Sequence, residues 1–181
     1  YGNPHHSSRS HPMKSPQIFL RAIEPEDLDA LYKIENDPEL WGVSTTNVPY
    51  SRFALHAYVE SCTNDIYTDK QVRLMIENEC HETVGIIDLT SFSPQNSRAE
   101  VGIVIMKPHR RQGYASAALV ELISYARKIL HLHQLYLVTS ERNVPCLQLF
   151  AQQGFRQTAT LHDWFLSGDK HENACFMQLF L

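Results

Sequence analysis

The spacing of apolar and polar positions changes period repeatedly along the chain from residue 17 onward. A short apolar run predicts a strand over 17–22. Residues 25–36 open on Pro25 and two acids, and Leu28, Leu31, Tyr32 and Ile34 then recur at helical spacing, which predicts a helix. The stretch 37–42 breaks that period. A second helix is predicted over 51–62, with Phe53, Ala54, Ala57 and Tyr58 on its inner side. Residues 72–78 and 83–92 read as two strands of a hairpin around turn-like residues 79–82. After a loop at 93–97 a further strand is predicted over 98–106. The longest amphipathic pattern covers 114–130, with apolar residues at 118, 119, 122, 123, 126, 129 and 130. A largely apolar, central strand is predicted over 134–140. A short helix over 144–153 is stopped by Gly154. Strands over 155–161 and 173–181 close the pattern around a polar turn. Strands alternating with helices, without a repeat or a long linker, predict a single α/β domain over 13–181, with a mixed sheet flanked by helices.

Composition narrows the partners. A chain of 181 residues can bury one real core. A hydrophobic fraction of 43% with 20% charged residues excludes a disordered chain. The formal net charge of −4 provides no basic excess for nucleic acid. No apolar run approaches the ~20 residues of a membrane span, so no membrane partner and a cytoplasmic location are expected. Cys62, Cys80, Cys146 and Cys175 form no CxxC pair and read as reduced, packed thiols, with no metal site expected. Residues 1–12, which hold His5, His6 and His11 among Ser, Pro and Gly, read as a leader or tail outside the fold.

Candidate chemistry centres on VIMKPHRRQGYASAALVEL at 104–122. A strand ends in a basic loop and restarts as a helix whose first turn has no acid. Acids normally favour that end, where N–H groups are unpaired and the helix dipole is positive. Gly113 lets backbone amides converge, Ala115 keeps the approach narrow, and Arg110 and Arg111 can add charge-assisted donors. The loop fits an anion cradle. It matches neither GxxxxGK[ST] nor GxGxxG. On spacing alone, a solvated glycine turn explains it equally well.

A second segment, NVPCLQLFAQQGF at 143–155, changes that balance. Together the two segments resemble the signatures of the GNAT family of acetyl-CoA-dependent N-acetyltransferases. The first, [Q/R]xxGx[G/A], is matched by Arg110, Gly113 and Ala115. The second, Nxx[A/S]xxL[Y/F]xxxGF, is matched by Asn143, Leu149, Phe150, Gly154 and Phe155, with Cys146 in the small-residue place. The resemblance extends over 17–181 and is strongest to the branch of ribosomal-protein alanine and bacterial spermidine acetyltransferases. It implies the acyl-CoA N-acyltransferase fold, with a mostly antiparallel sheet splayed between its fourth and fifth strands. It implies that the pyrophosphate of acetyl-CoA rests on the amides of Arg111, Gln112, Gly113, Tyr114, Ala115 and Ser116, beside Arg110. The pantetheine arm would pair with Ile103, Val104 and Ile105. Asn143 and Phe150 would lie near the thioester. Relatives often pair through their C-terminal strands, which leaves a homodimer open.

The acceptor would be a primary amine, of a polyamine such as spermidine or of a protein N-terminus. A non-catalytic acyl-CoA-binding module and an aminoglycoside-type enzyme are the rival readings. The family often donates a proton to the leaving thiolate from a Tyr at the place of Phe150, which has no hydroxyl. Direct attack by the amine is therefore expected. Glu100 shares a strand face with Gly102 and Val104 and is the candidate base, against the alternative of a Glu paired with Arg98 or another surface charge. Trp41, Tyr50 and Tyr58 either cradle a cationic amine or pack between helices. Glu35, Asp37 and Glu39 either draw in a polycation or form a solvated face. His109 reads as a loop histidine, His131 and His133 as helix-end cations, and Cys146 as packing.

Overall fold

In the computed structural model, which describes residues 14–40 and 48–181, seven strands form one sheet in the order β1-β2-β3-β4-β5-β7-β6. The strands are β1 (Ile18–Ala22), β2 (Val72–Asn78), β3 (Thr83–Ser93), β4 (Arg98–Ile105), β5 (Gln134–Ser140), β6 (Arg156–Ser167) and β7 (Lys170–Phe180). Every neighbouring pair is antiparallel except β4 and β5, which run parallel. Parallel neighbours need a long crossover. Here the helix α4 (Tyr114–Lys128) supplies it.

The alternation of side chains along the strands loads both sheet faces. Ile87 and Leu89 of β3, Ala99 and Val101 of β4, and Leu135 and Leu137 of β5 pack with Ala118, Leu119, Leu122, Ile123 and Ala126 of α4. Phe150 of α5 (Val144–Gln152) joins the same cluster. On the opposite face, Met75 and Ile86 pack beneath Leu31 and Ile34 of α1 (Leu28–Glu35) and Leu55 of α2 (Arg52–Ser61). At the start of that layer, Arg21 holds Asp27 with two hydrogen bonds of 2.8 and 2.9 Å, and the Glu24 N–H donates to the same carboxylate.

Four expectations needed revision. The inner side of α2 is Leu55 with Tyr58 and Val59, whereas Phe53 is 84% exposed, because α1 contacts the helix along a stripe rotated from the predicted one. A one-turn helix α3 (Ile66–Asp69), capped by Asp65, was not predicted; four residues show no period. The closing hairpin is longer than expected, with β6 reaching Ser167 and β7 starting at Lys170, since cross-strand hydrogen bonds extend through its polar residues. The helix predicted to 130 ends at Lys128, leaving Ile129 64% exposed. The tail at 1–12 and Trp41 lie outside the described residues.

Candidate active site at the parting of two strands

β4 and β5 are paired only at Arg98↔Gln134, Ala99↔Leu135 and Glu100↔Tyr136. Beyond those three pairs each strand follows its other neighbour. β4 stays in register with β3 as far as Gly85↔Ile105, and β5 stays with β7 as far as Ser140↔Ala174. The sheet therefore splits along 101–105, a slot about 16 Å long at ~3.3 Å per residue. Strand edges facing such a slot present N–H and C=O groups with no strand to meet them. An extended chain carrying amides fits there as an added strand. Ile103, Val104 and Ile105 all lie on this stretch and are half-buried.

The start of α4 stands at the mouth of the slot. Its N-cap is Gly113 in the left-handed region at φ 84°, with no side-chain cap and no acid in the first turn. The first amides are thus left to an outside acceptor. Arg111 is also left-handed at φ 62°, a strained conformation for a non-glycine residue. The loop is braced from within: Arg110 Nε donates to the Ile105 carbonyl at 2.9 Å, and Gln112 Nε2 to the Pro108 carbonyl at 3.3 Å. One of Arg110's donors therefore ties the loop to the end of β4. His109 lies edge-on to Tyr114, at 6.2 Å between ring centres. Ser116 Oγ accepts from Gln153 Nε2 at 2.9 Å, which fixes α4 to the end of α5.

Two residues of the second segment hold the framework. Asn143 Oδ1 caps α5 by accepting from the Cys146 N–H at 3.3 Å. Phe150 is 1% exposed and edge-on to Phe155, so its ring packs in the core. Helical periodicity identified it as apolar but could not show how deep its ring would sit. Burial raises the Cys146 thiol above its usual range, so it stays protonated at neutral pH and packs.

The α1/α2 side of the split carries charge. Glu100 is half-buried, and its carboxyl is raised by burial and then by nearby Asp88. Among the described residues no cation stands within ion-pair distance of Glu100, so the Arg98 pairing does not form. Asp88 lies opposite Gly102 in the β3–β4 register, and burial raises its carboxyl despite Arg73. Arg73 reaches Asp88 at 3.5 Å and Glu35 at 2.8 Å, with its guanidinium 5.6 Å from the centre of the Tyr58 ring. Burial pushes the Tyr58 hydroxyl up to about 12. Sequence reading missed Asp88 and Arg73. The available signal was a lone acid among the apolar residues of β3 and an arginine near the start of β2.

The structure also brings Glu39 to the cradle loop, 3.5 Å from Lys107 Nζ. Asp37 instead accepts from the Glu39 N–H at 3.0 Å. Tyr50 is held through its backbone by Asn36. His131 adopts a positive φ of 51° beyond α4, and the His133 ring packs edge-on to Phe180. Among the described residues no group of three or more His, Cys, Asp or Glu gathers as a metal site, and no helix is long and apolar enough to cross a membrane.

Comparison with known proteins agrees with this architecture. Residues 17–156 match the family model described as an acetyltransferase (GNAT) domain. The spermidine N(1)-acetyltransferase of Vibrio cholerae is 25% identical over 153 residues, covering 84% of this chain and 87% of that protein. A crystal structure of the spermidine N-acetyltransferase from Vibrio cholerae in complex with CoA and spermine superposes with a TM-score of 0.82. That match has 22% identity and covers 91% of this chain and 95% of the other. A dodecameric structure of the Vibrio cholerae enzyme gives a TM-score of 0.73 at 22% identity, covering 91% and 94% of the two chains.

Proposed function

The chain belongs to the GNAT acetyltransferase family, and from that premise we propose that it moves the acetyl group of acetyl-CoA to a primary amine of a polyamine. The observation that carries this reading is the β4–β5 ladder ending at Glu100↔Tyr136, beside a helix start with neither acid nor side-chain cap. One end of that arrangement suits a diphosphate and the other an amide-bearing thioester arm. In this reading the amides from Arg111 to Ser116, with Arg110 beside them, hold the pyrophosphate. The facing edge of Ile103, Val104 and Ile105 holds the pantetheine arm. Asn143, at the start of α5, stands near the thioester.

Chemistry at the split needs a neutral amine. Glu100 takes a proton from the acceptor ammonium, directly or through water, and its raised carboxyl makes it a better base than a solvated glutamate. The freed lone pair attacks the thioester carbonyl, forming C–N and breaking C–S. The leaving thiolate has an ordinary pKa of about 8.5 and collects the second amine proton without a dedicated acid. The absence of a hydroxyl on Phe150 is compatible with that route.

A polyamine is favoured over a protein N-terminus by the carboxylates of Glu35, Asp88 and Glu100 on the acceptor face, opposed by one arginine. The polyamine acceptor of the Vibrio cholerae relative supports the same choice. Assembly of several copies is part of the proposal, on the precedent of that relative's dodecamer. So is a cytoplasmic location, consistent with four free cysteines.

The test mixes protein, acetyl-CoA and a thiol reagent with spermidine, spermine, an alanine-terminated peptide and an aminoglycoside. Thiol release dependent on the polyamines is expected. Release only with the peptide or the drug would overturn the acceptor. CoA-dependent thermal stabilisation with no release on any amine would leave an acyl-CoA-binding module instead.

A further inference from the structure

Asp88 is an unusual residue for its position. It occurs midway along β3 between apolar neighbours, Ile87 and Leu89, both fully buried. Its register partner is Gly102, and a Cβ added at 102 would run into the Asp88 carboxylate. Only a glycine lets that carboxylate lie across β4, where the Gly102 N–H donates to it. The residue two positions before Gly102 on the same strand face is Glu100. Arg73 braces Asp88 from β2 while also holding Glu35 of α1. Among the described residues, Tyr58 of α2 and Tyr136 of β5 also face this pair.

We propose that Asp88 is the positioning residue of the acceptor site: its carboxylate, seated over Gly102 and held by Arg73, sets the negative field in which Glu100 receives the acceptor's proton. This rests on the acetyl-transfer reading above. The proton leaves the acceptor ammonium nitrogen for a Glu100 oxygen. Asp88 acts through charge, because a like charge nearby makes a carboxylate hold its proton more firmly and favours an approaching cation. Arg73 acts with the opposite sign on the same pair.

The two flanking charges predict opposite shifts. Asp88→Asn moves the acid limb of the kcat/KM profile down by roughly one pH unit, and Arg73→Gln moves it up by a comparable amount. Gly102→Ala, which displaces the carboxylate, reproduces the downward shift. The same shifts are read without turnover from the ¹³C carboxyl titration of Glu100, assigned by its disappearance in Glu100→Gln. Equal losses of kcat in Asp88→Asn and Arg73→Gln, with the limb and the Glu100 titration unmoved, would overturn the proposal and leave Asp88 a structural residue. Thiol release absent with every amine, while the Glu100 titration still shifts, would instead remove the acetyl-transfer reading.

Discussion

Replacing Gly113 by alanine perturbs the cradle at a single atom. The backbone there sits at φ 84°, and the added Cβ would stand 3.2 Å from Pro16 Cδ, which must yield by a few tenths of an ångström. An L-residue in the left-handed region costs about 1–2 kcal/mol. The smaller entropy of the unfolded alanine chain offsets about 0.4–1 kcal/mol of that. A net loss near 1 kcal/mol lowers Tm by about 2–4 °C in a domain of this size. Residue 113 sheds that strain by relaxing toward a right-handed conformation, which swings the first-turn amides away from the anion. Restoring them on binding then weakens CoA by about 5–30-fold, the same 1–2 kcal/mol expressed as a ratio. The assay is calorimetric titration with CoA, paired with thermal melts. Gly168, at φ 64° in the β6–β7 turn with open space around it, provides the control. Gly168→Ala carries the same backbone cost far from the cradle and leaves CoA affinity unchanged. An unaltered CoA affinity in Gly113→Ala, alongside the expected melting shift in both variants, would refute the view that these amides grip a diphosphate.

Other expectations follow from the same geometry. Glu100→Gln lowers kcat/KM at pH 7 by about 10²-fold and removes the acid limb of the rate profile, as measured by thiol release across pH. Asp27→Asn loses about 2 kcal/mol at neutral pH, because the 5%-exposed carboxylate pairs with Arg21. Burial works to raise Asp27, but Arg21 and the Glu24 N–H hold it below 3.8. Its stabilisation is therefore present above the unfolded value and is lost as pH falls through the folded one, so urea midpoints of the two proteins converge in acid. Brief treatment with iodoacetamide modifies exposed Cys80 before Cys146 or Cys175, whose thiols burial raises, as resolved by peptide mass spectrometry.

Much of this protein was legible one segment at a time. The strands at 72–78 and 134–140 emerged with their observed ends, because an apolar run bounded by turn residues depends on neighbours in sequence. The motif residues around Gly113 were legible for the same reason: a left-handed turn into a helix is a local demand on backbone shape. The α2 face was less legible, since Phe53 and Leu55 are both apolar and only the position of α1 selects between them.

The functional site belongs largely to the second category. Where β4 leaves β5 is decided by the competing ladders to β3 and β7, whose partners are distant in the chain. The depth of Phe150 is a three-dimensional outcome, as is the Arg110 contact with the strand it follows. Asp88 and Gly102 lie fourteen residues apart and become one feature only when the register sets them opposite each other. Sequence by itself determined the periods, the turns and the acid-free helix start, because each is a short-range consequence of side-chain shape and backbone freedom. Tertiary structure alone decided the slot and the charges that line it. Those depend on strand register and burial, and a carboxylate's proton affinity follows what surrounds it in space.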